Sequence, residues 1–233
     1  MAQVWMPAPE SGRGRPPSYS RAQIAEAAIA IADEHGIDAV SMRKVAAALG
    51  TGAMSLYRYV ENKQALCQMM LDHIVGEIGL PEPTGDWQAD LRAVAERQRA
   101  TQLAHPWLAG MAAGRPAMGP NVLRMLEHSM AVLDGLGLSL EDMLETYSLV
   151  SSWVNGFVQE ELTERDIRRG TGLDEQGWQR SLAPHLETLT ANGEYPYFTR
   201  ILREGADHDF DTRFTRGLTR ILTGIAATLP PTP

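Results

Sequence analysis

Residues 36–66 of this 233-residue chain, GIDAVSMRKVAAALGTGAMSLYRYVENKQAL, contain the signals for two short helices separated by a glycine turn. Ser41 is suited to begin the first helix, because its hydroxyl can accept a hydrogen bond from an unpaired backbone N–H. Gly50 stands where the chain must leave that helix in a left-handed conformation, and residues 53–59 are predicted to form the second helix. Two short helices that cross at such a turn place the second helix in the major groove of DNA.

Helices are also predicted on both sides of this stretch. One covers residues 20–35 and ends at Gly36, and another begins after Asn62 and runs from residue 63 to about 79. Apolar residues at helical spacing predict the inward face of the helix over residues 20–35: Ile24, Ala27, Ala28 and Ile31. Leu56 and Val60 are predicted to point inward from the second short helix.

The order Gly-Ile-x-x-x-Ser-x-Arg-x-Val-Ala-x-x-Leu-Gly, followed by Ser-Leu-Tyr-x-Tyr-Val-x-Asn-Lys-x-x-Leu, resembles the DNA-binding domain of the TetR family of bacterial transcriptional regulators. The resemblance covers about residues 20–71, and the rest of the chain is similar to the family only in length and helical character. It implies a helix-turn-helix domain over residues 18–66 and a helical ligand-binding and dimerisation domain over residues 67–229. A frayed tail is expected at residues 230–233.

The resemblance also implies which residues contact double-stranded DNA: Arg43, Thr51, Ala53, Met54, Ser55, Tyr57, Tyr59 and Lys63. Arg43 occupies a position that commonly contacts a base or a phosphate, and arginine is suited to a bidentate bond with guanine. Tyr57 and Tyr59 match phosphate-binding tyrosines, with half-buried packing as the alternative for both. Met54 offers apolar surface to a thymine methyl, with simple exposure as the alternative. Two positions depart from the family pattern. Thr51 stands where an aliphatic residue is common, and Gly52 stands where Ser or Thr usually caps the second helix.

The charge distribution by itself indicates an ordinary solvated surface, but in combination with the helix-turn-helix pattern it favours DNA binding by the N-terminal part of the chain. The net charge of the chain is −8, yet residues 1–63 carry seven Lys or Arg against six Asp or Glu, whereas residues 64–233 carry fourteen against twenty-three. Residues 1–17 are rich in proline and glycine and contain GRGRPPS, so they are predicted to form a flexible basic arm. Such an arm either follows a DNA groove or is an ordinary disordered tail.

Helical periodicity continues to the end of the chain, and no stretch alternates as a strand would, so the fold class is all-α. Among the predicted helices are residues 121–136, a long helix that Ser139 begins and that ends near Arg169, and residues 207–228. The last two are the helices through which TetR-like proteins form homodimers. Their apolar stripes either form the dimer seam or pack the core of one subunit: Leu149, Val150, Val154, Phe157, Phe214, Leu218, Ile221, Leu222 and Ile225.

The resemblance further implies a small-molecule effector bound inside the helical body. Methionine and aromatic side chains adapt to apolar ligands, and they suggest a mostly apolar effector, although ordinary core packing is the alternative for each of them. The candidate ligand-binding residues are Trp107, Met111, Met118, Met125, His128, Tyr147, Trp153, Asn155 and Phe157. The expected function is therefore a repressor that leaves an inverted-repeat operator when the effector binds.

Other classes of function fit the sequence less well. The histidines show no ligand pair at short spacing, the chain has no glycine-rich phosphate loop, and the acidic run at residues 207–211 is better suited to a helix start. Cys67 lies in an apolar run and is expected to be a small buried residue. We therefore expect no enzymatic activity, no cofactor and no metal. The single cysteine and the lack of a membrane-length apolar run favour a cytoplasmic protein. The alternative is a dimeric sensor or partner-controlled regulator without ligand-relieved DNA binding.

Overall fold

The computed structural model describes Trp5 and residues 19–111, 118–205 and 208–231, which contain helices and no strand, as expected for an all-α chain. The helices within these ranges are α1 (Arg21–His35), α2 (Met42–Ala48), α3 (Ala53–Leu56), α4 (Lys63–Glu77), α5 (Trp87–Ala104), α6 (Trp107–Met111), α7 (Pro120–Leu133), α8 (Leu140–Thr171), α9 (Glu175–Thr190), α10 (Pro196–Glu204) and α11 (Phe210–Thr228). Nearly all of the predicted basic arm and the last two residues of the predicted tail lie outside the described residues.

The chain divides into two compact units, and the boundary between them along the sequence falls within α8. One unit comprises the residues up to Asn155 together with those from Leu229 onward, and the other comprises Gly156–Thr228. The predicted boundary at residue 66 falls inside the continuous helix α4, and the division into a head and a body remains a prediction. Within the described ranges, no helix combines the length and the apolar character that a bilayer crossing requires.

The first four helices share one hydrophobic core, to which α1 contributes a wider face than predicted. Ile24 and Ala28 are buried as expected, but Ala27 and Ile31 are only half-buried. Their predicted places are taken by Ala25, Ile29 and Ala32. The reason is that α1 is apolar around most of its circumference, so that its contacts with α2 and α4 decide which side is buried.

Side-chain caps place the starts of these helices where the sequence predicts them. Ser20 accepts a hydrogen bond from the backbone N–H of Gln23, whose side chain in turn accepts one from the backbone of Ser20. Ser41 Oγ accepts from the N–H of Lys44 at 3.3 Å, and Asn62 Oδ1 accepts from the N–H of Ala65 at 2.9 Å. Each cap satisfies a backbone donor that has no partner inside its helix.

Helical spacing in the sequence predicts an inward stripe of Val122, Leu126, Met130 and Leu133 on α7, and of these only Leu133 is buried; most of the buried side lies one residue nearer the N-terminus. Val122, Leu126 and Met130 are only half-buried, and the fully buried positions of α7 are Met125, Ser129, Val132 and Leu133. A shift of the buried positions by one residue corresponds to a rotation of the helix by about 100 degrees about its axis. The amphipathic pattern therefore gives the rotation of α7 only approximately, and its contacts with neighbouring helices determine the rest.

The unit formed by Gly156–Thr228 has its own aromatic cluster. The ring of Phe157 packs edge-on against the rings of Phe210 and Phe214, with centroid distances of 5.8 and 5.3 Å. Arg213 lies over the Phe210 ring and contacts the carboxylates of Glu160 and Glu175. Helix α11 begins at Phe210, three residues after the predicted start; Asp207 lies outside the described residues.

The structure also divides the apolar stripes that the sequence left open between a dimer seam and a core. Most of these side chains are buried within the single chain and therefore belong to its core: Val150, Val154, Phe157, Phe214, Leu218, Leu222 and Ile225. Leu149 is exposed and Ile221 is half-buried. Of these nine stripe residues, Leu149 and Ile221 therefore keep the most exposed surface.

Candidate nucleic-acid interface and body cavity

A tight C-terminal turn fixes the angle between α2 and α3. Gly50 has a φ of +67°, its N–H donates to the carbonyl of Ala47, and the N–H of Thr51 donates to the carbonyl of Ala46. These two bonds form a Schellman motif, which requires a left-handed residue at the position of Gly50. The backbone of Thr51 is thus held in place by this turn.

Helix α3 presents one side to the core and the other to solvent. Leu56 is fully buried, whereas Met54 is 80% exposed and Tyr57 is 47% exposed. The helix ends at Leu56, earlier than the predicted residue 59, because the N–H of Tyr59 bonds to the Leu56 carbonyl in a tighter turn. Gly52 begins α3 without a side-chain cap, as its lack of a side chain dictates.

The other predicted DNA residues near α3 are less accessible. Thr51, Ala53, Ser55 and Tyr59 are half-buried, and Ala53 and Tyr59 pack against the core of the first four helices. This contact gives Tyr59 the packing role that the sequence allowed as an alternative, while the outer part of the residue remains open to solvent. Its phosphate contact stays a prediction.

Two predicted cations are exposed in the first turns of α2 and α4. Arg43 is exposed in the first turn of α2, and Lys63 is exposed as the first residue of α4. The ammonium group of Lys63 donates to the carbonyl oxygen of Ile37 at 3.3 Å. This bond draws the end of the Lys63 side chain toward the turn at Ile37–Ala39, and the ammonium keeps further donors for an anion.

Helix α4 is tied to α7 by the buried carboxylate of Asp72. Its Oδ1 accepts hydrogen bonds from the backbone N–H groups of Asn121 and Val122, each at 3.0 Å, and its Oδ2 accepts from the Asn121 side chain at 3.1 Å. The carboxylate therefore caps α7 from a different helix. Gly119 is required at this contact, since a Cβ there would lie 2.2 Å from Asp72 Oδ1.

A cavity of about 290 Å³ lies among α4, α5, α6, α7 and α8. Apolar side chains of α4 form one wall, including Leu71, Ile74 and Val75. A polar wall of glutamine, asparagine, serine and tyrosine side chains belongs to α5 and α8. The cavity is thus more polar on one side than the sequence predicted.

Four of the nine predicted ligand-binding residues line this cavity: Met111, Met125, Tyr147 and Asn155. Burial raises the pKa of the Tyr147 phenol, while its hydrogen bond to Ser151 acts in the opposite direction. The sequence analysis missed the neighbouring amides Gln98 and Gln102. Both continue the inward-facing stripe of α5 that begins with Leu91, and that placement is the signal that could have identified them.

The remaining predicted ligand-binding residues do not line this cavity, and a ligand contact for them stays a prediction. The indole N–H of Trp107 donates to Asp33 Oδ1 at 2.7 Å, and its ring packs into the core of the first four helices. His128 Nε2 donates to the carbonyl of Pro81 at 2.6 Å. Phe157 belongs to the aromatic cluster of the other unit, Trp153 is half-buried away from the lining, and Met118 is exposed.

Two family models match this chain. The family model described as "Bacterial regulatory proteins, tetR family" matches residues 24–70, and the model described as "Tetracyclin repressor-like, C-terminal domain" matches residues 80–229. The first match covers most of α1, all of α2 and α3 and the first half of α4, and the second match covers α5 to α11.

The chain belongs to the TetR family. The HTH-type transcriptional repressor DrrR1 of Streptomyces coeruleorubidus is 35% identical over 95% of this chain and 83% of its own length. An HTH-type transcriptional regulator of Saccharopolyspora erythraea is 34% identical over 97% of this chain and 92% of its own length. The chain is accordingly a DNA-binding transcriptional regulator with a helix-turn-helix motif.

A solved TetR-family structure agrees with the fold over nearly the whole chain. ActR from Streptomyces coelicolor, in complex with actinorhodin, superposes with a TM-score of 0.80 at 29% identity, covering 93% of this chain and 99% of that one. Its helical body extends the resemblance beyond the head, where the sequence alone showed only a similar length and helical character. These comparisons confirm the TetR family and leave the individual DNA and ligand contacts as predictions.

Proposed function

We propose that this chain is a homodimeric transcriptional repressor that binds an inverted-repeat operator and leaves it when a small molecule occupies the body cavity. The observation that carries the proposal is the course of α4. Its first residue, Lys63, follows the end of α3 by seven positions and bonds to Ile37 in the turn before α2, while other residues of α4, Leu71, Ile74 and Val75, line the cavity. One helix therefore touches both sites, as a coupling between distinct sites requires. A repressor of bacterial promoters works in the cytoplasm.

The relatives support the two finer parts of this proposal. DrrR1 carries the name of a repressor, and ActR was solved with a small molecule bound. In this chain, a molecule pressed against Leu71 and Ile74 displaces α4, and Asp72 transmits the displacement to α7 through its capping bonds. The effector needs only to bind more tightly to the displaced form than to the DNA-bound form.

The proposed DNA contacts divide by what each side chain can reach. The exposed Met54, with Ala53, Ser55 and Thr51 beside it, faces base edges in the major groove. Arg43 bonds to a guanine edge, and Tyr57, Tyr59 and Lys63 bond to phosphates. The N-terminal end of α4 adds its partial positive charge to that of Lys63.

Replacing Lys63 with alanine should weaken binding to every duplex by a similar factor. The reason is that a phosphate contact carries no sequence information and releases counterions from the DNA. We expect the slope of log K against log salt to become shallower by about one unit for each bound protomer. Fluorescence anisotropy over a potassium chloride series on two unrelated duplexes measures this, with Arg180→Ala, which removes an exposed cation of α9, as the control. An unchanged slope would remove Lys63 from the interface.

The dimer is proposed to involve the outward flank of α11, since the inward side of that helix is buried within the chain. Gly224 is exposed on this flank, and a Cβ at this position would meet no atom within 4 Å. We expect Gly224→Arg to leave the subunit folded and to raise the dimer dissociation constant about 100-fold or more, because it forces a charge into a dry interface. Sedimentation velocity measures the change.

The control for the dimer experiment is Gly170→Arg. Gly170 is also an exposed helical glycine with nothing within 4 Å of an added Cβ, and it lies near the end of α8. Gly170→Arg should sediment as the unsubstituted dimer does. A Gly224→Arg protein that remained dimeric at micromolar concentration would show that this flank of α11 is outside the interface.

A further inference from the structure

Three amide side chains form a connected group on the polar wall of the cavity. Gln98 and Gln102 lie on α5, and Asn155 lies on α8. Asn155 Oδ1 accepts hydrogen bonds from Gln98 Nε2 at 2.9 Å and from Gln102 Nε2 at 2.7 Å. Gln98 Nε2 also donates to Ser151 Oγ at 3.2 Å. Because one oxygen receives both bonds, the orientation of each amide depends on the others, and the oxygen of Gln102 is directed away from Asn155.

The oxygen of Gln102 lacks a hydrogen-bond partner. The residue is only 7% exposed, and its Oε1 is buried without a donor in reach among the described residues. Buried amide oxygens are satisfied in the great majority of cases, and leaving one unsatisfied is unfavourable by about 1–3 kcal/mol. Gln102 lines the cavity, so a bound molecule is placed to supply the missing donor.

The other lining residues offer no ionic partner to a charged ligand. None of the described residues that line the cavity is Asp, Glu, Lys, Arg or His. Burial raises the pKa of the Tyr147 phenol, which therefore stays neutral near pH 7. An ion bound here would lose its hydration without gaining a partner of opposite charge, and such a transfer is strongly unfavourable. The apolar wall of α4 instead favours a hydrophobic body.

We infer that the effector is a neutral, largely apolar molecule with a hydroxyl or N–H group that donates a hydrogen bond to Gln102 Oε1. The effector class rests on the proposed function, since it describes the molecule that the regulated cavity accepts. A buried acceptor that the ligand must satisfy gives selectivity, because an analogue without the donor leaves the acceptor unsatisfied in the complex. Molecules that differ only in this donor should therefore differ in affinity.

Indole and benzothiophene form a suitable pair of probes. They have nearly the same shape, but indole carries an N–H where benzothiophene carries a sulfur atom without a hydrogen. Their dissociation constants are measured by ligand-observed NMR on the full chain without DNA. The unsubstituted protein is compared with Gln102→Leu, which removes the acceptor at similar volume, and with Gln102→Met as a second replacement of that kind. Gln88→Leu is the matched control, since Gln88 lies on α5 outside the cavity lining.

The expected result is a change in the ratio of the two dissociation constants. We expect the preference for indole over benzothiophene to fall about tenfold in Gln102→Leu and in Gln102→Met, and to be unchanged in Gln88→Leu. The ratio corrects for the different hydrophobicity of the two probes. Circular dichroism shows whether each variant is folded. If Gln102→Leu is not folded, the comparison is made with Gln102→Met.

Three outcomes would overturn this effector class. The first is that neither probe binds the unsubstituted protein, and the second is an indole preference that both Gln102 variants retain. The third is tighter binding of quinoline, which only accepts hydrogen bonds, than of indole. Operator binding is measured separately, so a protein that selects indole through Gln102 but binds no duplex would support the effector class and contradict the proposed repressor function.

Discussion

Asp72→Ala is expected to lower the free energy of unfolding by about 3 kcal/mol. The carboxylate is 3% exposed and accepts two backbone N–H groups from the first turn of α7. Its removal leaves these donors buried without an acceptor and also removes the bond to the Asn121 side chain. Urea denaturation followed by circular dichroism measures the loss.

Two further variants test the physical reason for this loss. Asp72→Asn keeps an acceptor oxygen for the α7 backbone, so it should lose less than half as much stability as Asp72→Ala. Gly119→Ala should be destabilising by a similar amount to Asp72→Ala, because the added methyl group collides with the Asp72 side chain, whereas the backbone of Gly119, with a φ of −85°, accommodates alanine without strain. Gly156→Ala is the control, since nothing lies within 4 Å of its added Cβ. A stability of Asp72→Ala equal to that of the unsubstituted protein would show that this carboxylate does not hold α7.

Arg43→Ala is expected to weaken binding to the operator by about 2–6 kcal/mol in total, because a bidentate arginine–guanine contact contributes about 1–3 kcal/mol and a dimer makes it twice. Arg43 is exposed in the first turn of α2 and projects from a helix that the Schellman turn at Gly50 holds in place. Binding to a scrambled duplex should fall far less, since only the general electrostatic attraction is reduced there.

Anisotropy titrations on the operator and on its scrambled version, at one stated salt concentration, separate these two effects. The matched control is Lys44→Ala, which removes a neighbouring exposed cation from the same helix. Lys44→Ala should reduce both affinities by the same modest factor. Equal losses on both duplexes for Arg43→Ala would show that Arg43 contacts a phosphate and does not read a base.

The parts of the fold that the sequence predicted well depend on short-range signals. Ser41, Gly50 and Asn62 act through backbone groups within a few residues, so the residue type and its position suffice to place the helix ends. The length of α3 was overestimated because the tighter turn at Tyr59 leaves no distinct sequence signal. The buried face of α1 was predicted only in part, because apolar residues surround most of this helix and several of them could equally have faced the core.

The cavity was predicted less well because its contacts join residues far apart in the chain. Asn155 bonds to Gln98 and Gln102, which lie more than 50 residues earlier, and nothing in the local sequence of α8 identifies these partners. Trp107 was expected in the cavity on account of its residue type, but Asp33 of α1 satisfies its N–H and draws the ring into the head. The residue type of Trp107 thus did not predict its place, whereas the inward-facing position of Gln98 and Gln102 on α5 could have identified the polar wall of the cavity.

The most direct test of the account is an in vitro selection of the purified full chain on a random duplex library at a stated salt concentration. A dimer with two exposed α3 helices predicts an enriched inverted repeat, with half-sites spaced by about one helical turn or a multiple of it. If the folded dimer enriched no sequence even at low salt, the claim that this chain is an operator-binding repressor would be contradicted, and a ligand sensor without DNA binding would remain.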